Sequence, residues 1–379
     1  MLGIKINTFF NVYFYRPYKI PFLEPAQVLD ISLCFDVVVK VVYIPPSPRV
    51  LGALTNGGFL APHHRQKQGI YTLLLASNLP IFEKKKVPPT RLQLAKSKLN
   101  AFLDQTQKRV LSRLDLQQIL SQNRSTFQLA RSTTLNAFID FLLNETKLKE
   151  VALETDMYSL PARYTWRDVS PHLLALSFRK AGYLTHATAL VLNALTVDTS
   201  TIVYVNFEQS PKKRSGQLSQ ESIDRAFSNP QRRTWYVFNY GDGQIAILSG
   251  KHTNRLGVIT KQTPSGESLD LTGIERTLVD VTVRPDYSGG VRQVLEAYNS
   301  ARHLISVDLL LEILKGMDYT YPYHQAVGFC MQRAGYDESS WTKLKHAGSR
   351  YDFYLAHGMS AKKYNSEWRI FYPAEIDQQ

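Results

Sequence analysis

Cysteine is scarce in this chain: Cys34 and Cys330 are the only two among 379 residues, far apart and in no CxxC or Cys/His cluster. That argues against a disulfide scaffold or a zinc module, and fits a reducing cytoplasm. Unbroken apolar runs are missing as well. The stretch 28–44 is interrupted by Asp30, Asp36 and Lys40, and it is shorter than the roughly 20 residues a bilayer crossing needs. No membrane partner is therefore expected. Residues 1–15 have neither a clean apolar core nor a small-residue cleavage site, so no secretion signal is read. GxSxG, GxxxxGK[ST] and GxGxxG do not occur, which argues against a nucleophile elbow, a phosphate loop and a dinucleotide fingerprint. Internal repeats and low-complexity tracts are absent too. Acidic residues are few at the start. Residues 1–100 hold 4 Asp/Glu against 13 Lys/Arg, a balance of +9 out of +13 for the whole chain. A basic excess suggests an anionic partner but says nothing about fold.

What is present is otherwise ordinary for a globular protein: 44% apolar and 20% charged residues, at a length that allows two or three domains. Residues 1–89 are rich in aromatics and proline, show little sustained periodicity and end in FEKKKVPPTR. They read as a small appended domain or a poorly ordered extension, with strand-like runs at 37–44 and 70–75 and no assigned role. From Leu92 the pattern turns helical. Leu92, Leu94, Leu99, Phe102 and Leu103 open one amphipathic stretch, and Leu114, Leu116, Ile119 and Leu120 mark a second. Beyond the loop NRSTFQLARST, the apolar residues Leu135, Phe138, Ile139, Leu142 and Leu143 fall at i, i+3, i+4, i+7 and i+8, one helical stripe. Ser132 or Thr133 is the expected N-cap. KLKEVALET and MYSLPARYTW follow as strands with a turn near Asp156. Three helices and a hairpin are the order of a winged helix-turn-helix, spanning 90–166.

The remainder, 167–379, reads as mixed α/β. Two helices flank Gly182, and TIVYVNF is an apolar strand. SPKKRSGQLSQESIDRAF is a loop followed by a short helix. WYVFNYGDGQIAILSG is a hairpin through Gly241-Asp242-Gly243. Helical stretches at 273–283 and 289–314 precede a tail in which helix alternates with aromatic strands. The fold class is therefore α+β, a winged helix-turn-helix domain followed by a larger mixed α/β domain.

Two places invite a functional reading. The helix from Leu135 has a polar side with Thr133, Thr134, Asn136 and Asp140. Arg131 and Ser132 stand at its entrance, and Lys147, Lys149 and Arg163 lie on the wing. In a helix-turn-helix the second helix of the motif enters the major groove, and Arg, Ser, Thr and Asn suit phosphates or purine edges. A polar face that simply meets water fits the same pattern. The order of elements tips the reading toward DNA, with Asp140 and Glu145 counting against it. The second place is LTGIERTLVDVTVRPDYSGG, with Glu275, Arg276 and Asp280. A metal-dependent nuclease would need two or three converging carboxylates, commonly beside a lysine. Glu275 and Asp280 are five positions apart with no lysine, whereas Arg276 and Asp280 suit i,i+4 pairing, so structural pairing is the preferred reading. The histidines are scattered, and even His63-His64 lacks a partner at ligand spacing. No cofactor, metal site or catalytic constellation is expected.

From about Leu114 to Pro373 the chain resembles the AbiEi family, the antitoxins of type IV abortive-infection toxin–antitoxin systems. The resemblance rests on FIDFLLNETKLKEV, RYTWRDVSPHLLALS, YLTHATALVLNALT, TIVYVNFEQSPKKR, LSGKHTNRLGV, GIERTLVDVTVRPDYSGGV, YPYHQAVGF, YDFYLAHGM and WRIFYP, in that order. It implies a winged helix-turn-helix at 90–166 that binds inverted repeats in its own promoter and represses the operon. It also implies a C-terminal antitoxin domain at 167–379 that opposes an AbiEii-type nucleotidyltransferase toxin without a stable complex. DNA contact then maps onto Arg131 to Asn136 and the basic wing residues. The protein is expected to be cytoplasmic and not an enzyme. A nuclease using Glu275 and Asp280, and a ligand-sensing transcriptional regulator, are the alternatives.

Overall fold

The computed structural model describes residues 88–155, 159–198, 200–211 and 217–377, and before them the backbone of four short strands. The expected turn near Asp156, the strand-like run at 70–75, His63-His64 and most of the lysine-rich loop after Ser210 lie outside the described residues. The chain divides into two compact units, Met1–Val87 and Pro88–Gln379. In the first, β1 (Gly3–Lys5) pairs antiparallel with β2 (Asn11–Tyr13), and β3 (Leu29–Ser32) with β4 (Val38–Val41).

The second unit is mixed α+β. It opens with α1 (Arg91–Gln105), β5 (Val110–Ser112), α2 (Arg113–Asn123), α3 (Leu135–Glu145), β6 (Leu148–Glu154) and β7 (Ser159–Trp166). Polar side chains set the helix starts. Thr90 and Gln93 form a capping box on α1, and Ser112 and Asp115 another on α2, each satisfying backbone donors that have no partner inside the helix. The three strands form an antiparallel sheet in the order β5-β7-β6. Strand periodicity places alternate residues of β7 on opposite faces. Tyr164 and Trp166 join Leu99, Leu116, Phe138 and Leu142 in the core of the helical side. On the other face Val110 and Leu153 join the core built around the next helix, α4 (Pro171–Ser177).

That second core ties the small sheet to a larger one. After α4 come β8 (Tyr183–Leu184), α5 (His186–Leu192), β9 (Ile202–Glu208), α6 (Gln220–Ser228), β10 (Val237–Tyr240), β11 (Gly243–Gly250), β12 (Val258–Gln262) and β13 (Ser268–Thr272). The six strands order as β10-β11-β9-β8-β13-β12, with β11/β9 and β8/β13 parallel and the other pairs antiparallel. The hairpin expected at Gly241 is present, with Tyr240 opposite Gly243 and Gly241 at φ +56, a conformation that glycine adopts without steric cost. Leu174, Ala175 and Phe178 pack with Val205, Ile245 and Leu271 of the large sheet, so α4 serves both sheets.

The last third is α7 (Ile274–Val283), a single turn at Pro285–Tyr287, α8 (Val291–Ala301), α9 (Val307–Met317), α10 (Tyr323–Arg333), α11 (Glu338–Lys345), β14 (Phe353–Tyr354), β15 (Lys362–Asn365) and β16 (Ile370–Pro373). The stretch 289–314, expected as one helical run, is two helices. The chain leaves the helix at Arg302, and Ser306 caps the new one by accepting from Leu309 N at 3.3 Å. These helices and the three-stranded sheet β14-β16-β15 share the largest core, where Gly328 lets Trp368 lie against the α10 backbone. A Cβ at Gly328 would fall 2.1 Å from the indole ring. Among the described residues no helix is long and apolar enough to cross a membrane.

Candidate nucleic-acid interface

Helix α3 buries Phe138, Ile139 and Leu142 and turns Asn136, Ala137, Asp140 and Asn144 to solvent. Its N-cap is Thr134, one position beyond the expected pair. The Thr134 hydroxyl accepts from Ala137 N at 3.2 Å. The shift follows from the loop. Arg124, at the end of α2, donates to the carbonyls of Ala130 at 2.6 Å and Thr133 at 3.1 Å. With those carbonyls held, the chain reaches Thr134 in extended form, ψ 161, and only there turns helical. Arg124 therefore positions the entrance to α3, a role the sequence did not signal because its partners are backbone oxygens.

Around the exposed side of α3 the cations are unevenly placed. Arg131 and Ser132 are exposed in the turn before it, and Lys147 is exposed just after it. Arg113, at the first position of α2, donates to the Asn136 side chain, which brings to the face of α3 a guanidinium that no periodicity or spacing had pointed to. The helix itself carries no basic residue. Glu145 pairs with Lys96 of α1 at 2.9 Å, while Asp140 stays exposed.

The residues expected on the wing divide. Lys149 is exposed and pairs with Asp168 at 2.6 Å, and each partner shifts the other toward its charged form. Such a solvated pair gives way to a competing anion at little cost. Arg163 is different. It lies on the central strand β7, half-buried, with its guanidinium 4.8 Å from the Phe178 ring centroid and donating to Ser177 O at 3.1 and 3.2 Å. Burial lowers its pKa. Arg163 is thus committed to the α4 junction on the face of the sheet opposite the three helices. The structure groups Arg131, Ser132, Thr133, Thr134 and Asn136 at the start of α3 and leaves Arg163 apart from them.

The second place, on α7, is an interior ion network. Arg276 Nε donates to Asp280 Oδ1 at 2.9 Å, with the side chains only 3% and 9% exposed. The same guanidinium donates to Leu256 O and to the Tyr183 hydroxyl, and Asp280 also accepts from the Thr185 hydroxyl at 3.1 Å. Burial opposes the charge on Arg276, but the Asp280 carboxylate, with Tyr183 and Tyr319 adding to it, raises the pKa overall. Tyr183 is pushed up to about 12, mainly by burial. Glu275 faces elsewhere and accepts from Ser306 N at 3.0 Å, tying α7 to the start of α9. Each carboxylate has its own structural partner.

No family model matches this chain, and no curated protein does. Among solved structures it is similar to the crystal structure of the RV2827C protein from Mycobacterium tuberculosis, at 12% identity over 75% of this chain and 93% of that one, with a TM-score of 0.48.

Proposed function

We propose that this protein is a DNA-binding antitoxin of the AbiEi kind, which represses its own operon and opposes a nucleotidyltransferase-type toxin without enzymatic activity of its own. In this reading residues 90–166 are a winged helix-turn-helix, with α3 as the groove-reading helix and β6–β7 as the wing, and residues 167–379 are the antitoxin domain. The observation that carries it is the solvent-facing start of α3. Hydroxyls and an amide (Ser132, Thr134, Asn136) are flanked there by Arg113 and Arg131, with Lys147 past the far end, on a helix that buries Phe138, Ile139 and Leu142 on its other side. Cations at the rim suit phosphate contacts, which position a protein on the duplex, and the short polar groups between them suit base edges. The absence of cations within α3 and the exposed Asp140 confine favourable phosphate contact to its two ends.

Binding to a duplex carrying the promoter upstream of the protein's own gene tests this, by fluorescence anisotropy at several salt concentrations. Replacing Arg131 and Lys147 together by alanine is expected to weaken binding while leaving the circular dichroism spectrum unchanged. For every phosphate that the variant no longer neutralises, the slope of log K against log salt becomes shallower by about 0.9. Unaltered affinity and slope in the double variant would count decisively against α3 as the reading helix. The antitoxin half is tested separately, by co-expression with a neighbouring nucleotidyltransferase gene and measurement of growth rescue.

A further inference from the structure

A cleft of about 390 Å³ opens where β11, the segment before β10 and the turn after α7 meet. Four arginines line it, Arg179, Arg232, Arg233 and Arg284, and among the described residues no carboxylate does. All four are exposed. Among the described residues no acid pairs with Arg179, Arg232 or Arg284, and Asp286 approaches Arg233 only to 3.7 Å. Four like charges brought together with a single counter-charge repel one another, and a bound anion relieves that repulsion.

The backbone that carries two of the arginines is held, and the other two lie against aromatic rings. The Tyr287 ring is buried, and its hydroxyl accepts from Thr234 N at 2.8 Å and donates to Arg232 O at 3.3 Å. This fastens the segment that carries Arg232 and Arg233. Thr234 in turn donates from its hydroxyl to Ile247 O at 2.8 Å on β11. Arg284 lies over the Tyr287 ring at 5.8 Å, and Arg179 over Phe207 at 4.9 Å. A ring contact of this kind restrains a guanidinium and leaves its N–H groups available to a ligand. Beside them Trp235 is 81% exposed, so most of its indole is open to solvent. Gln231, just before Arg232, and Ser288, just after Tyr287, have buried polar side-chain atoms without a partner among the described residues.

We infer that this cleft binds the phosphates of a nucleotide through Arg232, Arg233 and Arg284, with the base resting on Trp235. Planar guanidinium forks match phosphate oxygens two at a time, and every nucleobase presents a face that stacks on indole. The volume suits one nucleotide unit, since small-ligand sites run upward from about 300 Å³. The inference does not depend on the DNA-binding reading of α3, which concerns a different surface of the chain.

Titration calorimetry of the full chain with ATP, inorganic pyrophosphate, adenosine and a single-stranded octadeoxyadenylate tests it. Saturable binding of ATP and pyrophosphate, without binding of adenosine, is the expected result. Arg232→Ala with Arg284→Ala should weaken ATP about tenfold or more, with thermal unfolding unchanged because both side chains are exposed. Trp235→Ala should weaken ATP several-fold and leave pyrophosphate as it was. Tighter binding of the octamer than of ATP, lost in the same arginine variant, also supports the site and assigns its ligand to a strand; the reverse order assigns it to a free nucleotide. The inference is overturned if neither ATP nor the octamer binds saturably, or if the arginine variant binds both as the parent does. Promoter affinity of that variant, expected to be unchanged, separates this outcome from any failure of the α3 reading.

Discussion

Helices α3 and α7 have nearly the same design on paper. One has 11 residues and the other 10, each has an apolar stripe, and each carries two carboxylates five positions apart, Asp140 and Glu145 in α3, Glu275 and Asp280 in α7. In the fold they part company. The polar side of α3 faces solvent, and its ion pair with Lys96 is 44% exposed on both partners. Around α7, by contrast, α5, α8, α9 and α10 close in, and the Arg276–Asp280 pair lies inside. Charge pattern alone does not tell a surface helix from an interior one; what covers the polar side does. The same charges then have different work. An exposed pair contributes about 0–1 kcal/mol, whereas a buried pair must be kept whole because neither member can be left without the other.

The largest effect expected from that contrast is at Asp280. Asp280→Ala leaves the Arg276 guanidinium buried without a counter-charge and should destabilise the fold by about 3–5 kcal/mol, read from the midpoint of urea unfolding. Glu145→Ala, the matching change on α3, should cost no more than about 1 kcal/mol. Replacing both interior partners, Arg276→Met with Asp280→Leu, should cost less than Asp280→Ala alone, since no charge is then left stranded. If Asp280→Ala and Glu145→Ala cost the same, the contrast between the two helices is wrong.

Acid offers a second way to separate the two regions. His186, at the start of α5 beside α7, is buried between the Tyr204 and Tyr287 rings. Burial lowers its pKa to about 4, against a smaller opposing pull from Asp280 and with Arg284 and Arg276 adding to the depression. In the unfolded chain a histidine titrates near 6.5. Between those values the unfolded state takes up a proton that the folded state refuses, so stability falls as pH drops from about 6.5 to about 4 and levels off below that. The full loss from this group is on the order of 3 kcal/mol. His186→Asn keeps a residue type that tolerates the local φ of +52, and should flatten the pH dependence of urea stability over that window. An equally steep acid limb in the variant would assign the sensitivity to other groups.

Much of α3 was legible. Its i, i+3, i+4 stripe named the buried residues, with Leu135 and Leu143 only half-covered at the rim. The Arg276–Asp280 pairing was legible too, as an i,i+4 spacing, but its burial was not, because the elements that cover it come from positions as distant as Tyr183 and Leu256. Strand β5 is only three residues long, and β12 is exposed along almost its whole length. Neither has the apolar alternation by which a strand is recognised. Arg163 looked like a wing cation because lysines flank that hairpin in sequence, yet its strand is the central one and its side chain falls on the packed face. The arginine-lined cleft was out of reach altogether. Its residues come from segments around positions 179, 232 and 284, and only the crossing of β9 and β11 with the turn after α7 brings them together.

The smallest effect expected concerns Thr134, which combines both ends of the comparison by being structural and exposed at once. Its hydroxyl satisfies one of the donors at the start of α3, and Thr134→Ala should cost about 1 kcal/mol. A weaker fold and a weaker grip on DNA would be confounded in that variant. Thr134→Asp separates them. Aspartate caps as well as threonine and its charge suits a helix N-terminus, so stability should be kept or slightly raised. In the proposed complex with DNA the same carboxylate would face phosphates, and promoter affinity should fall with a gentler salt dependence. Were Thr134→Asp to bind the promoter as tightly as the parent, the start of α3 could not be lying against the duplex, and the contrast between a solvent-facing reading helix and an interior ionic helix would lose its functional half.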